Sequence, residues 1–392
     1  MAYVAPSTVV AGQTYSAANH NIIVNDIIDH EDRLDTVQNA QYPARNVLVN
    51  GAMQFAQRGT SVSGISSGQA YYTADRWTQS ISANGTWTSA VSADAPTGSG
   101  FRNSFRMTCN VSAATAASTY HYLSQRLEGQ TLQHIKKGTA SAQQLTLQFW
   151  VKGSTTGTYV AALYDYDNTR SVGATYTISA ADTWEQKTIT FPADTTGALD
   201  NDNAVSLDVA FILAAGTDRT SGTLNTTWAS FVAANYAAGQ TVNLAGAANR
   251  YLAITGVQLE PGSVASPFEF VRYDDELKRC QRYYQKISAS TSNAYANFGT
   301  GYAPGGGTWI TQTYLPCPLR SVPSAVTTSG NIQVIETPGG SFTVTSLVLT
   351  ADQQTPNIVV LNGNAAGTTV ARVLLLRAAN DTTASIAFSA EL

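Results

Sequence analysis

The sequence predicts a mainly β protein. An N-terminal arm and short helix precede a jelly-roll β-sandwich, and a short linking helix joins this sandwich to a smaller C-terminal β domain. Short alternating or aromatic-rich runs, separated by Gly, Asn, Asp and Ser clusters, occupy residues 45 to about 270 and return from about 290 to 392. Charged residues make up 12% of the 392 residues, about half of the roughly 25% that is usual, while hydrophobic residues reach 43%. This composition is typical of a β-rich protein with a polar, nearly neutral surface.

Composition also excludes several classes of function. The net charge of −4 provides no positive field that would attract nucleic acid. No apolar run approaches the roughly 18–20 residues of a transmembrane helix, so membrane insertion is not expected. Four His and three Cys leave little material for metal or thiol chemistry, and we expect no metal and no cofactor. Cys109, Cys280 and Cys317 lack a paired spacing, which predicts buried free thiols in a protein assembled in a reducing cytoplasm.

The first element is residues 1–44, an extended arm followed by a helix that Ser16 caps. Apolar residues and histidines recur there at alternating spacings of three and four, the pattern of a coiled-coil seam. Isoleucine at both core positions favours three strands, so we predict an oligomerisation and anchoring helix. A helix packed on its own β domain stays open as the alternative. The predicted anchors are Ile23, Ile27, Leu34 and Val37.

The second element, residues 45–275, reads as a β-sandwich of about ten strands. The predicted strands include NVLVNGAMQF (46–55), SFRMTCNV (104–111), YHYLSQRLE (120–128) and VSLDVAFILAA (205–215). In QQLTLQFWV, the side chains of Leu145, Leu147, Phe149 and Val151 fall on one face of the strand and Trp150 on the other. Asp208 alternates with apolar neighbours, which predicts a solvated strand face for it.

Residues 276–290 form the predicted helical linker, since Asp274 to Lys286 favours a helix with an apolar side. Residues 291–392 then form the smaller β domain, which we expect to be the tip of the molecule. The string GTGYAPGGGTW (299–309) predicts a flexible hairpin loop there.

Aromatic side chains are the candidate binding residues. Trp150 lies on a polar strand face, and Tyr164 and Tyr166 flank the predicted turn in YDYDNTR. Tyr302 and Trp309 lie in or near Gly-rich loops of the tip domain. Aromatic platforms beside Asn, Gln and Asp suit the apolar faces and hydroxyl rims of sugars, which makes these five residues possible glycan contacts. Core or oligomer-interface roles are the alternative.

Catalytic residues are not predicted. Glycan cleavage requires a pair of facing carboxylates, and nothing in the sequence pairs Asp165, Asp167 or Asp208. His121 has no aligned nucleophile, and no G-x-S-x-G motif occurs. We therefore expect a protein that is not an enzyme.

Four motifs stand out along the chain: NVLVNGAMQFAQRGTS (46–61), YTADRW (72–77), LTLQFWVKG (145–153) and YLAITGVQLEPGSVASPFEFVRYDDELKRCQRYYQKI (251–287). Together they resemble bacteriophage tail-fibre and minor tail proteins, and 251–287 is the most specific of them. Residues 45–270 also resemble jelly-roll carbohydrate-binding modules. The resemblance would imply a structural calcium, but Met53-Gln54 and Thr255-Gly256 replace the acidic ligands and Glu260 alone is a poor cage, so no calcium is predicted.

The resemblance implies a structural virion protein, a tail fibre or receptor-binding protein that mediates adsorption to a host surface glycan or protein. It further implies a homotrimer, assembled in the host cytoplasm, whose residues 1–44 contact other virion proteins. The location would be the virion tail or the capsid surface. Three alternatives stay open: a capsid decoration or head fibre protein, a tailspike-type glycan depolymerase, and an adaptor for another fibre protein.

Overall fold

A computed structural model describes residues 45–305, 307–337, 339–350 and 353–392 of the chain. Within these ranges the protein is mainly β, as the sequence predicts, and its strand pairs are antiparallel. The predicted seam of Ile23, Ile27, Leu34 and Val37 lies outside the described residues.

Two sheets form the first domain. The strands, in chain order, are β1 (Ser61–Ile65), β2 (Gly68–Tyr71), β3 (Thr78–Ser82), β4 (Thr86–Ser92), β5 (Ser104–Val111), β6 (Tyr120–Glu128), β7 (Leu145–Gly153), β8 (Gly157–Asp165), β9 (Arg170–Ile178), β10 (Glu185–Phe191), β11 (Val205–Ala215), β12 (Ala229–Ser230) and β13 (Tyr251–Pro261). One sheet has the order β1-β4-β5-β13-β7-β10, and the other has the order β12-β9-β8-β11-β6-β3-β2. Short 3-10 turns occupy Gly129–Thr131, Gln133–Ile135, Ala233–Asn235 and Leu244–Gly246.

The two sheets pack face to face over one hydrophobic core. Alternation along β7 points Phe149 inward, where its ring lies 4.9 Å from that of Phe211 on β11. Trp77 and Trp87 are also fully buried in this core. The opposite face of each sheet points outward, and one of these faces forms the candidate site below.

The opening run 46–55 is buried but contains no strand, so this predicted strand is wrong. The amide of Val47 donates to the carbonyl of Leu259 on β13 at 3.0 Å, but side chains satisfy other backbone groups of the run. The amide of Val49 donates to Gln125 Oε1 at 2.7 Å, and that of Phe55 donates to Asn50 Oδ1 at 3.0 Å. Asn50 and Met53 adopt φ angles of 58° and 55°, which no regular strand permits.

A helix, α2 (Tyr273–Gln281), follows the first domain, and the shorter α1 (Thr217–Thr220) belongs to the first domain. The prediction of a helical linker over 276–290 is wrong beyond α2, because residues 284–288 form a strand of the second domain. Asp274 and Asp275 lie in the first turn of α2 and Arg279 in the last, which suits the helix dipole. Arg279 donates to the carbonyl of Leu48 at 3.1 Å. Helix α2 is therefore fastened to the opening segment of the sandwich.

The second domain contains ten strands among its described residues. They are β14 (Tyr284–Ser288), β15 (Asn297–Gly305), β16 (Thr308–Tyr314), β17 (Ala325–Ser329), β18 (Ile332–Thr337), β19 (Ser341–Thr343), β20 (Ser346–Leu349), β21 (Ile358–Asn364), β22 (Val373–Ala378) and β23 (Ser385–Ser389). A three-stranded sheet, β14-β23-β17, and a seven-stranded sheet, β19-β18-β22-β15-β16-β21-β20, enclose a separate core around Trp309 and Phe388.

The first and last strands of the second domain lie side by side. Tyr284 at the start of β14 pairs with Ser389 near the end of β23. Just beyond β23, Glu391 forms a buried ion pair with Arg76 of the first domain. This domain is thus held to the sandwich at both of its chain ends.

Residue Leu392 extends the same junction. Its carbonyl oxygen accepts hydrogen bonds from the hydroxyl of Tyr71 and from Nη1 of Arg126, both at 3.0 Å. Arg320 reaches in the opposite direction and donates from Nη1 to the carbonyl of Asn203 at 2.6 Å. Several buried or half-buried polar contacts therefore connect the two domains.

The three cysteines are free thiols. Cys109 and Cys280 are buried, whereas Cys317 is half-buried, so the expectation of full burial is wrong for Cys317. Among the described residues, no helix has the length and apolar character that crossing a membrane requires.

Candidate functional site

A groove of about 280 Å³ runs along the outward face of the seven-stranded sheet in the first domain. Strands β6, β8 and β11 form its floor, and the segment 216–240, which contains α1 and β12, folds back over the sheet as its wall. Apolar contacts hold this wall in place, because Tyr236 and Ala237 pack against Val160 and Ile212 of the floor. The groove is lined by Ser80, Tyr120, Tyr122, Ser124, Tyr164, Tyr166, Asp208, Arg219, Phe231 and Tyr236.

Aromatic rings make up most of the lining. Tyr120 and Tyr122, two residues apart on β6, stack with centroids 4.8 Å apart and ring planes 18° from parallel. Near the end of β8, Tyr164 lies edge-on to Tyr166 at 4.7 Å and to Phe231 of the wall at 5.1 Å. These contacts fix the rings before any ligand binds, so little side-chain freedom remains to be lost on binding.

A carboxylate lies in the floor between these rings. Asp208 is 8% exposed, and its Oδ1 accepts no hydrogen bond from a described residue. Burial raises the pKa of Asp208 to about 6, against the opposing effects of the Arg126 charge and the hydroxyls of Ser124 and Tyr166. At neutral pH the ionised carboxylate has a free acceptor site, and ligand hydroxyl groups are the donors that would satisfy it.

A cation, Arg219, lies at one end of the groove, beside Tyr120 and Tyr122. The Arg219 guanidinium lies 5.3 Å from the centre of the Tyr120 ring, within the range of a cation–π contact. The adjacent Tyr122 hydroxyl is buried and has no hydrogen-bond partner among the described residues. Burial also raises the pKa of Tyr122, so its hydroxyl stays protonated and able to donate.

The structure places the five predicted contact residues in four different environments. Tyr164 and Tyr166 line the groove. Trp150 is half-buried on the outward face of the other sheet of the sandwich, away from the groove. Tyr302 is 50% exposed on the seven-stranded sheet of the second domain.

Trp309 requires a correction. It is fully buried in the core of the second domain, so its ring is not available to a glycan. The Gly-rich sequence around it indicated a loop, but Trp309 belongs to β16, where alternation turns it inward. Gly363 on the neighbouring β21 provides the space, since a Cβ there would lie 2.5 Å from the indole.

Sequence reasoning did not find the residues that close the groove. Asp208 was expected on a solvated strand face; it does point outward, but the wall covers it. Arg219, Phe231 and Tyr236 all belong to segment 216–240, which has almost no strand pattern. The available signal was compositional, because Phe231 and Tyr236 are aromatic residues in a segment otherwise typical of a surface loop.

A second cavity, also of about 280 Å³, lies between the opening segment and α2. Its arginines already have partners: Arg282 donates to both carboxylate oxygens of Glu128, at 3.0 and 2.7 Å, and Arg279 pairs with Glu276 at 2.9 Å. The groove is the better candidate, because there the polar groups lack such partners.

Other candidate chemistry has structural explanations. His121 points into the core beside Trp87, and burial lowers its pKa to about 3, which keeps the ring neutral. Asp165 is fully buried in an ion pair with Lys137. Glu260 accepts a hydrogen bond from the amide of Ser266 at 2.7 Å. Within the described ranges, no group of three or more His, Cys, Asp or Glu side chains could hold a metal ion.

No protein-family model matches the chain, and no curated protein matches it. Among solved structures, one match is the enzymatically active domain of bacteriophage CBA120 tailspike protein 4, which is 14% identical in sequence. The match covers 56% of this chain and 22% of that chain, with a TM-score of 0.30. TmCBM61 in complex with β-1,4-galactotriose is 12% identical over 55% of this chain and 99% of its own, with a TM-score of 0.28.

A family 11 carbohydrate-binding module from Clostridium thermocellum, in complex with a β-1,3-1,4-mixed-linked tetrasaccharide, is 10% identical. It covers 49% of this chain and 91% of its own, with a TM-score of 0.25. At these values the similarity does not define a binding site, so the functional argument depends on the groove.

Proposed function

We propose that this chain is a structural phage virion protein, a tail fibre or receptor-binding protein, that binds a host surface glycan in the groove without cleaving it. The observation that supports glycan binding is the lining of the groove. Fixed tyrosine rings lie beside buried polar atoms that have no hydrogen-bond partner in the described part of the chain, which suits the apolar faces and hydroxyl rims of sugars. From the sequence we expected the C-terminal domain to be the tip of the molecule. We now propose that the glycan binds in the groove of the first domain instead.

The acid groups of the groove support the proposal of binding without cleavage. Glycoside hydrolysis uses two carboxylates that flank the scissile bond. Asp208 is the single carboxylate among the described residues that line the groove. One acceptor of this kind is enough to hold a hydroxyl group, and this is the role we propose for it.

The virion role is supported by the tail-protein motifs, of which 251–287 is the most specific. In this proposal residues 1–44 anchor a trimer in the particle, and three grooves per trimer raise the overall affinity for a repeating polysaccharide. Light scattering of the full chain and of a chain lacking 1–44 tests the trimer. Antibody labelling of intact virions tests whether the protein lies on the tail or on the capsid.

The glycan test uses a steric block. The test variant, Ser80→Phe, adds a ring at a half-buried position that lines the groove. The control variant, Thr88→Phe, adds the same ring on the outward face of the other sheet. We expect wild type and Thr88→Phe to retain host polysaccharide in affinity electrophoresis and Ser80→Phe to lose it. Equal binding by all three proteins would place the glycan elsewhere, and no binding by wild type would reject the function. Release of reducing ends would favour the depolymerase alternative.

A further inference from the structure

We infer that the groove selects an acidic glycan, whose carboxylate is bound by Arg219 and the Tyr122 hydroxyl at one end of the groove. This inference depends on the proposed glycan-binding function and names the class of glycan. It arises from two polar groups beside aromatic rings. Among the described residues, the Tyr122 hydroxyl has no hydrogen-bond partner and Arg219 has no ion-pair partner.

Arg219 differs from the other arginines near the groove. Arg126 already donates to the Leu392 carbonyl and to the Tyr166 hydroxyl, and Arg76 is paired with Glu391. Among the described residues, no carboxylate lies within 4.0 Å of the Arg219 guanidinium. Arg219 is half-buried and lines the aromatic groove, so its guanidinium is available to an anionic ligand there.

The chemistry at this end favours a carboxylate. A guanidinium presents parallel N–H donors that match the two oxygens of a carboxylate. The Tyr122 hydroxyl, buried and unpartnered, lies close enough for the Arg219 charge to affect its titration, and it adds a third donor. The Tyr120 ring, stacked on Tyr122, provides a surface for the sugar that bears the carboxylate.

Asp208 gives the groove a direction. Register places Tyr122 opposite Ile212 and Arg126 opposite Asp208, so along β11 the backbone of Asp208 lies four residues, about 13 Å, from the position that faces Tyr122. The carboxylate at Asp208 repels a second acidic group but accepts sugar hydroxyls. A chain that alternates acidic and neutral sugars therefore fits in one orientation, with its acidic unit beside Arg219.

The test compares acidic oligosaccharides with the same oligosaccharides after chemical reduction of their carboxyl groups, by calorimetry on the full chain. Uronate and sialate oligomers are the probes, with a glycerol-phosphate polymer as a third arm. We expect wild type to bind an acidic oligomer at least tenfold more tightly than its reduced form. Arg219→Gln should abolish this preference, and Tyr122→Phe should lower it about threefold.

Arg272→Gln is the matched control, because it removes the same charge from a side chain that is 80% exposed outside the groove. It should leave the preference unchanged. Binding of reduced oligomers alone would overturn the acidic ligand and keep the proposed function. Failure of both forms to bind would overturn both. Arg219-dependent binding of the phosphate polymer alone would overturn the carboxylate assignment. The comparison of ligands on wild type does not depend on the folding of any variant.

Discussion

The outward faces of the two seven-stranded sheets invite comparison, because both carry exposed or half-buried aromatic residues. On the first domain, segment 216–240 covers part of the face and converts a row of tyrosines into a groove with a carboxylate and a guanidinium. On the second domain, Tyr302, Tyr314, Val348 and Val373 are 50–67% exposed. A sheet face with aromatic residues thus becomes a candidate site only where another segment encloses it and leaves polar groups without partners.

The largest expected effect comes from comparing the buried side and the outward side of the seven-stranded sheet in the second domain. Trp309→Ala should lower the free energy of unfolding by about 3–5 kcal/mol, because it leaves a cavity in the core. Tyr302→Ala, on the outward side of the adjacent strand, should change it by about 0.5 kcal/mol or less. Urea denaturation measures both. A small effect of Trp309→Ala would contradict its assignment to the core.

The dependence of stability on pH should reveal the buried carboxylate of the groove, a feature that we do not assign to the exposed sheet face of the second domain. The pKa of Asp208 is raised from 3.8 to about 6, so the folded state takes up a proton before the unfolded state does. The cost of burying the charge is therefore present above pH 6 and disappears as the pH falls below 4. Asp208→Asn should stabilise the protein by about 1–3 kcal/mol at pH 7.5 and by nothing at pH 4.

Denaturation of wild type and Asp208→Asn across this pH range measures the difference. Asp75, whose pKa burial also raises to about 6, is present in both proteins and cancels. A gain from Asp208→Asn that does not depend on pH would show that its carboxylate is not a buried charge.

Ligand binding should separate the two faces directly. Tyr164→Ala removes a ring that contacts Tyr166 and Phe231, and we expect at least a tenfold loss of glycan affinity, about 1.4 kcal/mol. Tyr314→Ala, which removes a ring that is 67% exposed on the second domain, should stay within twofold of wild type. Circular dichroism checks that both variants fold. Equal losses would make the second domain part of the binding surface.

The smallest effect on stability is expected from the exposed valines on the seven-stranded sheet of the second domain. Val348→Thr and Val373→Thr, at positions 52% and 61% exposed, should each alter stability by about 0.5 kcal/mol or less. Thermal unfolding and light scattering measure stability and oligomeric state together. A larger loss, or a change in oligomeric state, would show that another surface covers this face.

Period-two alternation predicted several strands of the first domain to the residue. Strands β5, β6 and β11 match the predicted runs, because each alternates between a core face and an outward face. The run 46–55 has strand-like composition, yet Asn50 and Gln125 satisfy its backbone with side chains, which composition does not reveal. In β16, Trp309 and Ile310 lie on opposite faces and both are large and apolar, so the pattern could not assign the inward side.

The candidate site was predictable only in part for the same reason. Tyr164 and Tyr166 follow from a strand and turn that the local sequence encodes. Asp208 and Arg219 meet the same groove only because segment 216–240 folds over β11, and this depends on contacts such as that of Tyr236 with Ile212. Local patterns specify strands, whereas a wall that crosses a sheet is a property of tertiary packing.

The pairing of β14 with β23 has a consequence for how such proteins diversify. Because the first and last strands of the second domain are adjacent, the covalent link before β14 and the contacts of Glu391 and Leu392 with the first domain form one compact junction. A different domain whose chain termini lie close together could replace this one by recombination without changing the strand order of the sandwich. The replacement would have to preserve the contacts to Arg76 and Arg126. The groove would pass unchanged through such exchanges, and the two halves of the molecule could respond to selection separately.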